Sequence, residues 1–362
     1  MPRRTATMLA SLLMLIALLC AGALLPVPYA EMSPGPTYNT LGSHKGECVL
    51  QISEHKGCAT TGGHLNMTTV QVTGSEYKMN LIEAVYGWLA HDDVVVPHST
   101  LYPDDKTPDE VNQENAEEFT QSQESAKVAA LRQLGKRITS HVIVGVVQRD
   151  KPAQGRLHAG DVIKEVDGSA VRAPEDVAKL ITKHKPGEKV TFSIIPAKDA
   201  AAAEKKNQEA TARKSVTVTT EKAEDGRAIV GIQAGVDYTF PLKIDIKLAD
   251  VGGPSAGLMF ALGIVDKLST GDLTGGKFIA GTGTIDEKGT VGPIGGIQMK
   301  TIGARDAGAE YFLTPQENCA AAASDKPDGL TLVKVHTLKG AVKALKQIRE
   351  GDTAALPKCT KS

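Results

Sequence analysis

The sequence predicts a mixed chain, α/β and α+β, with an N-terminal transmembrane helix ahead of two globular domains. Three observations predict it. Residues 8 to 25 read MLASLLMLIALLCAGALL, and no charged side chain occurs between Thr5 and Tyr29. Between residues 141 and 195 two strand patterns, a helix pattern and a third strand follow one another, bounded by Gly, Pro and Asp. From about residue 228 glycines interrupt short apolar runs, as tight turns and close backbone approaches require. A chain of 362 residues is long enough for two or three domains with their own cores. Its formal net charge of -1 and single Trp argue against nucleic acid as a partner.

The apolar run is long enough to cross a hydrocarbon core of about 30 Å. Arg3 and Arg4 stay inside, which puts Glu31 onward outside the cytoplasm. A cleaved signal peptide shares the basic start and apolar middle. However, Pro28-Tyr29-Ala30 is a poor small-x-small cleavage signal, and Leu19 before Cys20 is unlike a lipoprotein site. Residues 1 to 30 therefore read as an uncleaved signal anchor of a single-pass protein. Cys20 lies in the membrane segment, leaving Cys48, Cys58, Cys319 and Cys359 outside. Four cysteines allow three complete pairings, and the economical one joins Cys48 to Cys58 and Cys319 to Cys359. An oxidising compartment lets both form. No Cys/His spacing suits a metal, and no cofactor is expected.

Residues 31 to 63, rich in Gly, Pro, Ser and Thr, read as a stalk. TTVQVT, 68 to 73, alternates like a strand, and Leu81 to Leu89 suits a short helix. Residues 103 to 125 are acidic and polar, and SAKVAALRQLGKRI, 125 to 138, reads as the end of an amphipathic helix. Residues 31 to 137 thus form a stalk and N-terminal extracytoplasmic region. Next come the strand HVIVGVV, a turn-rich link, the strand VIKEVDG, the helix APEDVAKLITKH and the strand KVTFSII. The Ala/Lys/Glu-rich stretch 197 to 215 reads as an exposed excursion before a last strand at 216 to 220. Residues 138 to 220 resemble a PDZ domain. The marks are Pro152-Ala153, Leu157 followed by Ala159-Gly160-Asp161, VIKEVDG and the Pro186-Gly187 turn. The resemblance implies capture of peptide C-termini by strand addition. It needs a carboxylate-binding loop, placed between Ile138 and Val144, where the Gly-Leu-Gly-Phe wording is missing.

AIVGIQ and KIDIKL read as strands, followed by VGGPSAGLMFAL, 251 to 262. Gly252 and Gly253 permit a sharp turn, and Pro254 suits the first turn of a helix. Ser255 is then expected in that first turn, among free N–H groups that can hold an oxyanion. Alone, the motif fits a capping serine as well as a nucleophile. A histidine base is poorly supplied: no His lies between Ser255 and Leu330, leaving only Asp266 or Asp286 with His336. A lysine base has better support. Lys300 follows the Gly295-Gly296 break in PIGGIQMK, at a helix start and after Ile294, Ile297 and Met299. Such burial lowers an amine from its usual value of about 10.4. The remaining segments GLTLVKVHTL and KGAVKALKQIRE read as a strand and a terminal helix, and 351 to 362 as a tail.

Residues 225 to 350 resemble the proteolytic domain of the Lon protease family. GPSAG, 253 to 257, matches the nucleophile segment, and IAGTGTIDEKGTVGPIGGIQMK matches the next block in order. The resemblance implies a Ser255–Lys300 dyad, with Thr282 helping to hold the lysine and Ala256 and Gly253 supporting the nucleophile turn. Where the family usually carries an acidic residue before GPSAG, this chain has Gly252, with Asp250 two further back. No Walker A sequence occurs in the 362 residues. The whole is similar to a bacterial, membrane-anchored, PDZ-containing Lon-like protease. That implies an ATP-independent serine endopeptidase on the cell membrane, acting outside the cytoplasm on unfolded or flexible proteins. The resemblance also implies a homo-oligomer. The alternative is a membrane-anchored, non-catalytic peptide-binding scaffold.

Overall fold

The computed structural model describes residues 3–53, 57–58, 62–90, 92–205, 210–249, 251–269 and 272–361. It divides into one unit made of Met1–Lys136 with Leu242–Ser362, and a second unit, Arg137–Pro241, inserted between those two segments.

The first segment opens with helix α1, Arg3–Leu24. Its window Thr7–Leu24 is long and apolar enough to cross a membrane, and almost none of it is buried. Strands β1, Tyr29–Asn39, and β2, His64–Val72, pair antiparallel. Helix α2, Leu81–Leu89, is started by a capping box in which Asn80 and Glu83 satisfy each other's backbone N–H. β3, Val94–Pro97, pairs with the opposite edge of β1. Helix α3, Pro108–Gln133, begins at a second capping box, Thr107 with Glu110. Its buried residues Val111, Phe119, Ser122 and Ala126 recur at helical spacing.

One expectation is corrected by this segment and another is extended. The stretch expected as a stalk begins inside a sheet. Pro34 and Pro36 misled the reading, and β1 absorbs them at a register shift between Pro34 and Thr37. The acidic residues from 109 onward belong to the helix whose end was expected at 125 to 138. They form the solvent face of α3, which starts well before residue 125.

The inserted unit comprises β4, Thr139–Val147; β5, Val162–Val166; helix α4, Pro174–Ile181; β6, Lys189–Ile195; β7, Lys214–Thr219; and β8, Ile232–Thr239. Its strand order is β7-β6-β5-β4-β8. Val144, Leu157, Ile163, Val177, Phe192 and Val218 anchor its core. β8 pairs along β4 from Ile232 opposite Val147 to Thr239 opposite Thr139. AIVGIQ therefore leads into the edge strand of this unit rather than opening the C-terminal domain.

The returning segment carries α5, Gly257–Leu268; β9, Phe278–Gly281; α6, Ile297–Asp306; β10, Tyr311–Pro315; β11, Thr331–Val335; and α7, Leu338–Glu350. The sheet order is β11-β10-β9-β2-β1-β3. β11, β10, β9 and β2 run parallel to one another, while β1 is antiparallel to both of its neighbours. Residues far apart in sequence thus build one sheet. Within KIDIKL, Ile244–Ile246 pairs with Leu50–Ile52. The tail is tied back as well: the Lys334 N–H donates to the Pro357 carbonyl at 2.6 Å. Cys48 is bonded to Cys58 and Cys319 to Cys359, leaving Cys20 as the free thiol.

Candidate active site

The turn Gly253–Ala256 is held from two sides. Gly253 adopts φ +80°, a left-handed conformation that a side chain would strain. Its N–H donates to the Asn115 carbonyl of α3 at 2.9 Å, and the Ser122 hydroxyl of α3 donates to the Pro254 carbonyl at 2.9 Å. From the other side, the Gly283 N–H donates to the Ser255 carbonyl at 2.8 Å, and the Leu258 N–H donates to the Gly283 carbonyl at 3.1 Å. Ala256 is the N-cap of α5, and the helix begins at Gly257. Ser255 therefore sits in the turn before the helix, not in its first turn. Proline restricts the chain at 254, but the continuous helical bonding starts from the Ala256 carbonyl.

Lys300 comes from the opposite direction. Gly296 caps α6 at φ +66°, where an added Cβ would lie 2.8 Å from Val70 Cγ2. Gly296 is thus the steric requirement for bringing α6 against β2, while an added Cβ at Gly295 would meet nothing within 4 Å. One turn later the Lys300 side chain enters the interior and is only 4% exposed. Its Nζ lies 2.7 Å from Ser255 Oγ, 3.3 Å from Thr282 Oγ1 and 3.3 Å from the Thr68 carbonyl.

The hydrogen-bond directions follow from the partners. Thr282 is fully buried and its hydroxyl donates its one proton to the Ser255 carbonyl at 3.1 Å. It can therefore only accept from Lys300, as can the Thr68 carbonyl. A neutral amine has two N–H groups and one lone pair. The two acceptors take the N–H groups, and the lone pair is left facing Ser255 Oγ. Burial, with no carboxylate to offset it, pushes the Lys300 ammonium down to about 8. At pH 7.5 roughly a quarter of such an amine is neutral, against about one in a thousand at its ordinary value. The arrangement can take a proton from a serine hydroxyl near neutral pH.

The expected residues Gly253, Ser255, Ala256, Thr282 and Lys300 thus meet at one place. Asp250 lies outside the described residues. The acids considered with His336 serve turns instead: Asp286 accepts from the N–H groups of Lys288 and Thr290, and Asp266 from that of Leu273. Sequence reasoning missed the Thr68 carbonyl, Asn115 and Ser122. Only Ser122 left a signal, as a small polar residue on the buried stripe of α3.

In the inserted unit the residues expected as a carboxylate loop, 138 to 144, run into strand β4, Thr139–Val147, instead. β4 is paired with β8 from Thr139 to Val147 and with β5 at Ile143 opposite Val162. The edge strand beside β4 is β8, the other edge being β7, and Ile232 and Ala234 of β8 pack against the cluster containing Val177 and Ile181 of α4. The turn before β8 has Gly231 at φ +79°, and its carbonyl accepts from the Gln148 N–H at 2.9 Å.

Residues 249–347 match the Lon protease (S16) C-terminal proteolytic domain, and residues 118–207 match the PDZ domain family. A Lon protease of Koribacter versatilis is 34% identical over 112 residues, covering 29% of this chain and 14% of that protein. Lon protease 1 of Sorangium cellulosum is 46% identical over 66 residues, covering 18% of this chain and 8% of that protein. The chain thus matches only a small part of the length of these relatives. The crystal structure of the PDZ domain of an SdrC-like protein from Listeria innocua is 25% identical, covering 25% of this chain and 90% of that one, with a TM-score of 0.20.

Proposed function

From a chain that carries a Lon (S16) proteolytic domain and a PDZ domain, we propose a membrane-anchored serine endopeptidase that cuts extracytoplasmic proteins without ATP. The observation that carries this reading is the buried Lys300 amine 2.7 Å from Ser255 Oγ, with its two N–H groups committed elsewhere. Neutral Lys300 takes the hydroxyl proton as Oγ attacks the peptide carbonyl. The N–H groups of Ser255 and Ala256, at the start of α5, receive the oxyanion. Lys300 then gives its proton to the leaving amine, and water releases the acyl group by the same path. Thr282 keeps both partners in register through its bonds to the Ser255 carbonyl and to Nζ.

Anchoring is supported by α1, and ATP independence by the lack of a Walker A sequence in these residues. Without an unfolding motor the substrates are flexible or locally unfolded segments. The PDZ domain supplies capture: a peptide end adds as a strand to the open edge of β8, beside α4. Its carboxylate is received at the turn containing Val230 and Gly231.

The test is covalent labelling of the full chain in mild detergent with a serine-directed probe at alkaline pH, followed by peptide mapping. The expected adduct is on Ser255, and it disappears in Lys300→Ala. A protein that binds peptide ends but takes no adduct on Ser255 is a scaffold, and the catalytic reading fails.

A further inference from the structure

Helix α2 is amphipathic the wrong way round for a helix of a water-soluble surface. Its six large apolar side chains, Leu81, Ile82, Val85, Tyr86, Trp88 and Leu89, are all exposed, from 37% at Leu81 to 82% at Leu89. At 100° per residue they cover an arc of about 160°. The residues turned inward are small: Ala84 and Gly87 are buried, and a Cβ at Gly87 would lie 2.6 Å from Val95 Cγ2. The helix is therefore pressed onto β3 by its smallest residues, which leaves its largest to the outside. A contiguous apolar face of this kind marks a contact surface rather than chance exposure.

The position of α2 identifies what covers that face. The Leu81 N–H donates to the Leu25 carbonyl at 3.1 Å, and the Val27 N–H donates to the Met79 carbonyl at 2.9 Å. The start of α2 is thus bonded to the segment by which the chain leaves α1. At Gly22, in the last turn of α1, an added Cβ would lie 3.4 Å from Ile82 Cγ1. The first turn of α2 is level with the last turn of the apolar helix. Tyr29, just past that helix, meets Trp88 edge to face with ring centroids 5.2 Å apart. Aromatic side chains collect at the boundary between acyl chains and headgroups.

We infer that α2 is an interfacial helix whose exposed face enters the bilayer surface where α1 emerges, so that the protein is held by the membrane at two places. The occupant of the face is lipid, at the level of the upper acyl chains and headgroups. This goes beyond anchoring by α1, since a lone spanning helix would let the body swivel on its linker. Docked by α2 as well, the body keeps a fixed face toward the membrane.

Trp88 is the chain's one tryptophan and Cys20 its one free cysteine, so each element reports on itself. The full chain is reconstituted in phosphatidylcholine vesicles with bromine either at the headgroup end of the acyl chains or at the bilayer centre. A membrane-impermeant maleimide tests Cys20 in the same vesicles. The expected result is a blue-shifted Trp88 emission, lost mostly to the shallow bromines and resistant to aqueous iodide. In Tyr86→Asp/Leu89→Asp the bromine quenching falls while Cys20 stays protected. Bromine quenching together with reactive Cys20 would keep the α2 inference and remove the α1 anchor. Trp88 open to iodide with Cys20 protected overturns the inference and leaves the anchor. Shielding from iodide without bromine quenching, rising with protein concentration, assigns the face to a second copy and also overturns it.

Discussion

Lys300 sets how the site responds to pH. Burial pushes its amine from 10.5 down to about 8, so the neutral form that the proposed mechanism uses gains population as pH rises through 8. Peptide cleavage is expected to climb along an acid limb centred near pH 8 in a rate–pH profile; a limb near 6 would point to histidine. Lys300→Arg keeps its charge at every accessible pH and is expected to be inactive. The same burial opposes folding. Between pH 8 and 10.5 the unfolded chain binds the proton and the folded one does not, so the cost is full below about pH 8 and gone above about 10.5. A shift of this size corresponds to about 3 kcal/mol. Lys300→Met is therefore expected to be inactive yet to melt higher than the native chain at pH 7, by about 1–3 kcal/mol once lost hydrogen bonds are counted. That gain should shrink toward pH 10.5, and a lower melting point at pH 7 would contradict it. At this scale Ser255, Lys300 and Thr282 could be read from residue type and order. The Thr68 carbonyl could not, because a backbone oxygen carries no mark of residue type.

Among the elements, α3 acts as the clamp on the turn that carries Ser255. It holds the Gly253 N–H through the Asn115 carbonyl and the Pro254 carbonyl through the Ser122 hydroxyl. Phe119 of α3 meets Phe260 of α5 edge to face at 5.8 Å, which fixes the two helices to each other. Ser122→Ala frees one side of the turn without opening a large cavity. It is expected to lower kcat about tenfold with KM unchanged, since small displacements of reacting groups are costly. Stability should fall by about 1 kcal/mol. Steady-state kinetics with thermal melts check both, and an unchanged kcat would mean that the Gly283 side holds the turn alone. Four strands of the inserted unit were legible because they alternate, as in KVTFSII, whereas β8 was assigned to the C-terminal domain because it returns after the last expected strand. α3 was half legible: its apolar end showed the helical period, while its acidic beginning carried too few apolar residues to show one. β1 was not legible because two prolines within a strand are admitted only at an irregularity, and pairing decides where that falls.

The whole molecule is assembled from distant pieces. The central sheet joins β1 to β3, from before the inserted unit, with β9 to β11, from after it. No local pattern announces such a pairing, and for this reason residues 31 to 63 read as a stalk instead of part of the central sheet. The disulfides could be anticipated from spacing, and each stays within this unit. Cys319–Cys359 closes a separation of 40 residues and Cys48–Cys58 one of 10. Loop entropy assigns them about 4 and about 3 kcal/mol respectively. The pair Cys319→Ser/Cys359→Ser is expected to melt lower than Cys48→Ser/Cys58→Ser, and the reverse order would contradict that account. The central claim is peptide cleavage by Ser255 and Lys300 without an energy source. Its most direct measurement incubates the full chain in mild detergent with an unstructured protein and no ATP at pH 8, with products read by mass spectrometry. The native chain is expected to cut, with Ser255→Ala and Lys300→Ala both silent. Products that persist in either variant, or a native chain that leaves the substrate whole, would contradict it.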